Sequence, residues 1–185
     1  MVTTLPGTTI PVDWTRPEEA ETLLNSLFLA GGLMLSQVAS LTGLEPYVIQ
    51  NWVRRGFVAP PERKRYSRSQ FCRIVLINML KDSMQLDKIC ALLSYVNGEL
   101  DDESDDLIDD ARLYLCVVRL AALTERRPPA GPAEAERWCR EAVAGFQEPV
   151  PGARERVARC LHVILTAYLA ARLKREAETL LSRLA

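Results

Sequence analysis

The sequence predicts an all-α protein with one short wing. Apolar residues recur at helical spacing along most of the 185 residues, and strand-like alternation is confined to a short segment near residues 57–66. Prolines and glycines fall between the helical stretches, where they end one helix before the next begins. Two short helices joined by a turn at Gly43 predict a helix-turn-helix, which the wing and a C-terminal helical dimerisation or effector region follow.

The helices are predicted from apolar spacing together with residues that favour helix ends. Thr15 and Glu18 fit a capping box, and Pro17 suits the first turn of the first helix. Ser36 and Ser67 are predicted to cap two later helices. The predicted helices are 15–30, 36–42, 45–55, 68–82, 86–96, 111–127, 133–146 and 153–184.

Breaks in this pattern divide the chain into four regions. Residues 1–33 form an N-terminal helical arm, and residues 34–98 form the winged helix-turn-helix. An acidic segment and a connecting helix occupy 99–127, and a C-terminal helical region occupies 128–185. The uncharged stretch 22–44 contains polar residues and two glycines, so it predicts amphipathic helices and no membrane span.

Composition argues against several classes of function. The chain has 23 Lys and Arg against 24 Asp and Glu, which excludes a uniformly basic DNA coat. His162 is its single histidine, which argues against a multi-histidine metal site or a histidine-dependent hydrolase. The sequence has no Gly-rich phosphate loop and no Gly-x-Ser-x-Gly motif. It therefore predicts no enzyme activity, no cofactor and no metal site.

The cysteines predict buried, reduced thiols. They are widely scattered, odd in number and never arranged as Cys-x-x-Cys, so they do not form a disulfide framework or a zinc knuckle. A redox or soft-metal sensor is the alternative, with Cys116 and Cys139 as its first candidates. The five are Cys72, Cys90, Cys116, Cys139 and Cys160.

A basic patch surrounds the predicted helix-turn-helix. Residues 51–81 contain eight basic residues and one acidic residue, Glu62, an excess of seven positive charges. Such asymmetry is what neutralisation of DNA phosphates requires, although a solvated basic face is the plainer alternative. Recognition helix 45–55 carries Gln50 and Asn51, which can form bidentate hydrogen bonds to adenine, and the wing at 60–66 could reach the DNA backbone. The candidate DNA-binding residues are Ser36, Tyr47, Gln50, Asn51, Arg54, Arg55, Arg63, Lys64, Arg65 and Tyr66.

An acidic run follows at 99–110, with eight acidic and no basic residues. Its spacing lacks the pattern of a calcium-binding EF-hand. The run could be a solvated linker leading into a helix N-terminus, where carboxylates are favoured. A specific metal site, or an acidic shield that docks on the basic patch when DNA is absent, are the other two interpretations.

The run Met34 to Val96 resembles the DNA-binding domain of the MerR family of bacterial regulators. The stretch Met34 to Leu123 looks more closely like a domain-of-unknown-function family classed as MerR-like. The resemblance implies a winged helix-turn-helix that dimerises through C-terminal helices and regulates transcription. The matching pieces are Leu35–Gly43, Pro46–Trp52, Arg55–Pro61, Tyr66 and Leu86–Leu93.

We therefore expect a cytoplasmic, homodimeric transcription regulator that binds double-stranded DNA. Its C-terminal helices could also take a small-molecule effector of unknown identity. The apolar stripe of the last helix needs a partner, either the helix at 133–146 or the same helix of a second copy. A helical protein–protein interaction module without operator binding is the alternative. It is suggested by the short wing and by Gln50-Asn51-Trp52, which stands where MerR proteins commonly have a basic-aromatic-aromatic triplet.

Overall fold

The computed structural model describes residues 4–16, 18–100 and 105–184, and over these ranges the protein is mostly helical. The prediction of an all-α protein is confirmed at this level. Two strands of two residues each accompany the helices. The elements are α1 (Glu19–Ser26), β1 (Leu33–Met34), α2 (Leu35–Thr42), α3 (Pro46–Arg54), β2 (Arg65–Tyr66), α4 (Arg68–Leu80), α5 (Leu86–Asn97), α6 (Asp110–Arg126), α7 (Pro132–Ala142) and α8 (Ala153–Ser182).

Local chemistry accounts for several of these helix ends. Ser67 caps α4, because its Oγ accepts a hydrogen bond from the Gln70 N–H at 3.2 Å while the Gln70 side chain accepts one from the Ser67 N–H at 2.8 Å. Gly43 ends α2 with φ at +68°, a conformation that glycine adopts without strain. Pro46 occupies the first turn of α3, where its missing N–H costs nothing.

Two predicted helix starts are wrong. Ser36 does not cap α2, because β1 runs directly into that helix and Met34 occupies the capping position. Helix α1 begins at Glu19 and not near Thr15. Thr15 lies in a turn, where its N–H and hydroxyl both donate to the Asp13 carboxylate, at 2.9 and 2.7 Å. Pro17, the predicted first-turn residue, lies outside the described residues.

The small sheet joins two distant segments. Strands β1 and β2 are antiparallel, with Leu33 opposite Tyr66 and Met34 opposite Arg65. The sequence predicted strand structure only within 57–66, so β1 was missed. Two residues are too few to show a period-2 pattern, and this pairing depends on how the chain folds back after α3.

Helix α4 forms the centre of the core. All of its residues from Phe71 to Ile77 are buried, and it packs against α2, α5, α6 and α8. The N-terminal arm is fastened to the same core, because the buried Tyr114 hydroxyl of α6 donates to the Pro6 carbonyl at 2.8 Å. Ile49 and Trp52 anchor α3 in the core from its inner side.

Helix α8 is buried along its first part and exposed along its last. From Ala153 to Ala171 most of its apolar residues pack against α4, α5, α6 and α7, although Val163 is 44% exposed. Helix α7 is the intramolecular partner that the sequence offered for the stripe. The last turns carry leucines that are between 53% and 85% exposed. These exposed residues are Leu173, Leu180, Leu181 and Leu184.

The uncharged stretch 22–44 is divided among several short elements, including most of α1, β1 and α2. Over residues 4–16, 18–100 and 105–184, no helix has both the length and the apolar character that crossing a bilayer requires.

Candidate nucleic-acid interface

Helix α3 has one buried and one exposed face. Ile49 and Trp52 are at most 2% exposed, whereas Tyr47 is 69% exposed. Gln50 and Arg54 are exposed as well and lie three and seven residues after Tyr47, which places all three on one face of the helix. These three candidate residues therefore lie on the solvent-exposed face that the amphipathic pattern of the sequence predicts.

The exposed face of α3 adjoins residues 60–66, hereafter the basic loop. A cleft of about 610 Å³, the α3–loop cleft, lies between α2, α3 and this loop. Ser36, Gln50 and Lys64 line it together, so three elements that are distant in sequence contribute candidate residues to one surface. The cleft also has apolar walls, formed by Met34, Leu35, Pro46, Val53, Pro61 and Tyr66.

The tip of the basic loop has an unusual backbone. Arg63 and Lys64 have φ values of +48° and +66°, in the left-handed region that favours glycine. A hydrogen bond at 2.8 Å from the Arg65 N–H to the Glu62 carbonyl closes the turn. Two basic residues thus occupy positions where Asn-Gly is the usual choice, and strain of this kind often marks a functional segment.

We expect Arg63→Asn with Lys64→Gly to stabilise the fold by about 1 kcal/mol, because these residues adopt the left-handed conformation at lower cost. Urea denaturation measures this change. Arg65→Gly is the matched control and should destabilise, since Arg65 lies in β2 and its guanidinium donates to the Gly32 carbonyl at 2.8 Å. If the double variant were no more stable than the native chain, the turn would not be strained.

Three candidate residues are engaged within the fold. The Arg65 guanidinium is bonded to Gly32, as above. The Arg55 guanidinium lies 4.3 Å from the Phe57 ring centroid and 3.4 Å from the Asp87 carboxylate. Tyr66 is 2% exposed, and burial raises the pKa of its hydroxyl. Asn51 is half-buried. The exposed candidates are Ser36, Tyr47, Gln50, Arg54, Arg55, Arg63, Lys64 and Arg65, and of these Arg55 and Arg65 already have partners within the fold.

The basic patch is smaller than the sequence count indicates. Arg73 is 4% exposed, and its guanidinium donates to the Phe57 carbonyl at 2.8 Å and to the Asp110 carboxylate at 3.2 Å. Lys81 lines a different cavity, beside Tyr168. The charge available near the α3–loop cleft is mainly that of Arg54 and the basic loop.

Several carboxylates in the described part of the acidic run accept hydrogen bonds within the fold. The Asp109 carboxylate accepts two backbone N–H groups of the first turn of α6, both at 3.0 Å, as expected at a helix N-terminus. The Asp105 carboxylate accepts from the Glu99 N–H at 3.0 Å. Asp110 is buried, which raises its pKa, while Arg73 opposes the shift. Residues 101–104 of the run lie outside the described residues. Within the described ranges, no cluster of acidic, cysteine or histidine side chains could hold a metal ion.

The cysteines are poorly placed for redox sensing. Cys72, Cys116, Cys139 and Cys160 are buried and Cys90 is half-buried, and none forms a disulfide. Burial raises the pKa of the Cys139 and Cys160 thiols to about 12, and it also raises the pKa of Cys116. Since the thiolate is the reactive form, burial disfavours the sensor alternative for Cys116 and Cys139.

Known sequences match the part of the chain that contains this surface. Residues 30–115 match the family model of a domain of unknown function (DUF1836). The chain is also similar to the uncharacterized protein YkrK of Bacillus subtilis (strain 168), with 31% identity over 101 residues. That match covers 52% of this chain and 43% of the relative, so the chain matches less than half of the relative's length. No solved structure matches the chain.

These matches correct the resemblance to the MerR family. The matched domain has no assigned function and the relative is uncharacterised, and nothing in either points to a MerR-like protein. The resemblance depended on the order and spacing of apolar and turn residues. Such spacing is needed wherever two short helices pack on a third. Unrelated helix-turn-helix proteins therefore share it, and it does not identify a family.

Proposed function

We propose that this protein is a cytoplasmic transcription regulator that binds double-stranded DNA as a dimer, with α2, α3 and the basic loop acting as a winged helix-turn-helix. The observation that carries the proposal is the shared surface at the α3–loop cleft. There the exposed polar face of α3 adjoins a basic turn whose residues 62–65 are exposed. The proposal involves no catalysis, cofactor or metal.

In this proposal α3 enters the major groove. Gln50 reads a base edge, since its amide can form a bidentate pair with adenine. Tyr47 and Arg54 lie one turn to either side of it and bind backbone phosphates. Arg63 and Lys64 reach the adjacent backbone or minor groove from the loop tip. Arg55 already contacts Phe57 and Asp87 and Tyr66 is buried, so both are left out of the proposed contacts.

We expect affinity for duplex DNA to fall steeply with salt. Arg54, Arg63, Lys64 and Arg65 can neutralise about four phosphates, so log affinity should fall against log salt with a slope of about −3 to −4 per half-site. Fragments selected from the host's genomic DNA on the purified chain provide the ligand, and fluorescence anisotropy at several salt concentrations gives the slope. A folded protein that enriches no fragment, or a slope near zero, would contradict the proposal.

Dimerisation through the last turns of α8 is part of the proposal. Leu173, Leu180 and Leu184 form an exposed stripe at coiled-coil spacing. Glu176 and Arg183 flank this stripe with opposite charges, so two antiparallel copies would pair each Glu176 with the other copy's Arg183.

We expect Leu173→Glu with Leu180→Glu to give a monomer in sedimentation velocity, because like charges then meet in the apolar stripe. Thr179→Glu with Ser182→Glu is the matched control. It adds the same charge at exposed positions outside the stripe and should leave the dimer intact. A monomeric native chain would refute this part of the proposal.

A protein–protein interaction module is the second candidate, and the lining of the α3–loop cleft favours it. Met34 is 47% exposed there, beside Val53 and Pro61, and an apolar cleft of this size suits a partner side chain. The two candidates differ in the salt experiment, because the interaction module predicts no affinity for DNA in a folded, monodisperse sample.

A further inference from the structure

Another cavity borders the basic loop, and its lining includes no residue of α3. It measures about 480 Å³ and opens between the loop, the N-terminus of α4, the C-terminal end of α5 and the described part of the acidic run. This loop–α5 cavity falls within the range of about 300–1,000 Å³ that is usual for small-molecule sites. Its lining includes Ser67, Ser69 and Gln70 besides the charged residues considered next.

The buried part of the cavity lacks hydrogen-bond donors for two of its acceptors. Asn97 and Asp110 are 5% and 6% exposed, and both line the cavity. The Oδ1 atom of each has no hydrogen-bond partner among the described residues. Buried acceptors are nearly always paired, so this end of the cavity favours a ligand that brings N–H donors.

The exposed rim has charges of both signs. Arg63 and Arg65 lie on the loop side, together with Glu62, while Glu99 and Asp106 lie on the side of the acidic run. Among the described residues, no ion pair joins Arg63 or Arg65 to Glu99 across the cavity. A ligand with both a cationic and an anionic group could therefore pair with both sides.

We propose that the loop–α5 cavity binds a small zwitterion, of which a free α-amino acid is the simplest form. Its ammonium group donates to the Oδ1 atoms of Asn97 and Asp110 and is balanced by the carboxylate of Glu99. Its carboxylate accepts from the guanidinium groups of Arg63 and Arg65, whose planar donors suit that group. Arg73 is already neutralised by Asp110 and does not oppose the ammonium group. The cavity leaves room for the amino-acid side chain.

Such a ligand would also regulate the basic loop. Arg63 lines this cavity and belongs to the proposed DNA surface, so a bound carboxylate competes with a DNA phosphate for it. The ligand should weaken DNA binding, and DNA should weaken ligand binding by the same factor. This coupling rests on the proposed function, whereas the binding of a zwitterion does not.

The first test uses the full chain without DNA. Each standard L-amino acid is added at millimolar concentration, and the unfolding temperature and the calorimetric Kd are measured. At least one amino acid should raise the unfolding temperature in a saturable manner. Acetate and methylamine, which each carry one of the two charged groups, should not. If no amino acid binds, or if acetate acts as well as the amino acids do, the zwitterion site is refuted.

Variants then locate the site. Arg63→Gln and Glu99→Gln change exposed side chains on the two sides of the cavity, and each should weaken binding by about tenfold, as expected for one lost charged hydrogen bond. Arg126→Gln and Glu178→Gln remove the same charges at exposed positions elsewhere and should leave Kd unchanged. Unchanged Kd in the first pair would place the ligand outside this cavity and overturn the assignment.

A final measurement separates this inference from the proposed function. Saturating amino acid should reduce affinity for the selected DNA fragments in the native chain and have less effect in Arg63→Gln. If an amino acid binds but DNA affinity does not change, the coupling is refuted and the site stands. If the chain binds the amino acid and no DNA, the proposed function fails and the zwitterion site again stands.

Discussion

Arg54→Glu with Lys64→Glu is expected to weaken binding to duplex DNA by at least about 100-fold. Each substitution removes a charge-assisted hydrogen bond of about 1.5–3 kcal/mol, and two such losses amount to two or more factors of ten. The new carboxylates also repel the phosphates. The slope of log affinity against log salt should become less negative by about 2, since two fewer counterions are released.

The structure selects these two positions. Arg54 ends the exposed face of α3, and Lys64 lies at the tip of the basic loop. Neither forms an ion pair with another described residue. Arg65 and Arg55 are poorer choices for reversal, because their guanidinium groups bind Gly32 and Asp87 and a change there would disturb the fold as well as the surface.

A matched control distinguishes the effect of charge at the proposed surface from the effect of the protein's net charge. Arg119→Glu with Arg126→Glu changes net charge equally, at two exposed positions on α6 that do not line the α3–loop cleft. This control should retain most of the affinity. An equal loss in both double variants would mean that net charge, and not this surface, determines binding. Intact affinity after Arg54→Glu with Lys64→Glu would show that the proposed surface is wrong.

Asp110→Ala is expected to lower the free energy of unfolding by about 3–5 kcal/mol, the usual cost of leaving one buried charge without its partner. Asp110 and Arg73 have side chains that are 8% and 5% exposed, and they lie 3.2 Å apart. The uncompensated guanidinium would remain between α4 and α6 with the Phe57 carbonyl as its remaining partner. Urea denaturation monitored by circular dichroism measures the change.

An exposed ion pair provides the control for this prediction. Asp87→Ala removes the partner of Arg55, whose side chain is 44% exposed while that of Asp87 is 81% exposed, and it should cost less than about 1 kcal/mol. Arg73→Met with Asp110→Leu removes both buried charges and should be less destabilising than Asp110→Ala alone. If Asp110→Ala cost no more than Asp87→Ala, water would reach the Arg73–Asp110 pair.

The sequence was sufficient to predict helix bounds where neighbouring residues determine them. The caps and breaks at Gly43, Pro46 and Ser67 placed α2, α3 and α4 within a few residues of their observed bounds. The pairing of β1 with β2 was not predictable, because it joins segments more than thirty residues apart and each strand has two residues. Helix periodicity correctly separated Ile49 and Trp52 from the exposed face of α3 for the same local reason.

The count of charged residues overestimated the basic patch, because it included a residue whose side chain is buried. Arg73 was assigned to the basic patch, although it stands inside the apolar run Phe71–Leu80, and that position could have indicated burial. Its partner Asp110 is the last residue of an acidic run that otherwise suggests solvent. Arg55 meets Asp87 thirty-two residues away, a contact that depends on the packing of α3 near α5. Tyr66 is buried because β2 faces the core on one side.

The half-buried Cys90 makes this chain convenient for spectroscopy. The other four thiols are buried, so a maleimide dye should attach mainly at one position of the native protein without prior removal of cysteines. Cys90 lies three residues after Asp87, on the same face of α5, and Asp87 contacts Arg55 at the end of α3. A fluorophore there would sit beside the base of the helix proposed to enter the groove, and its emission could report engagement of α3 in solution.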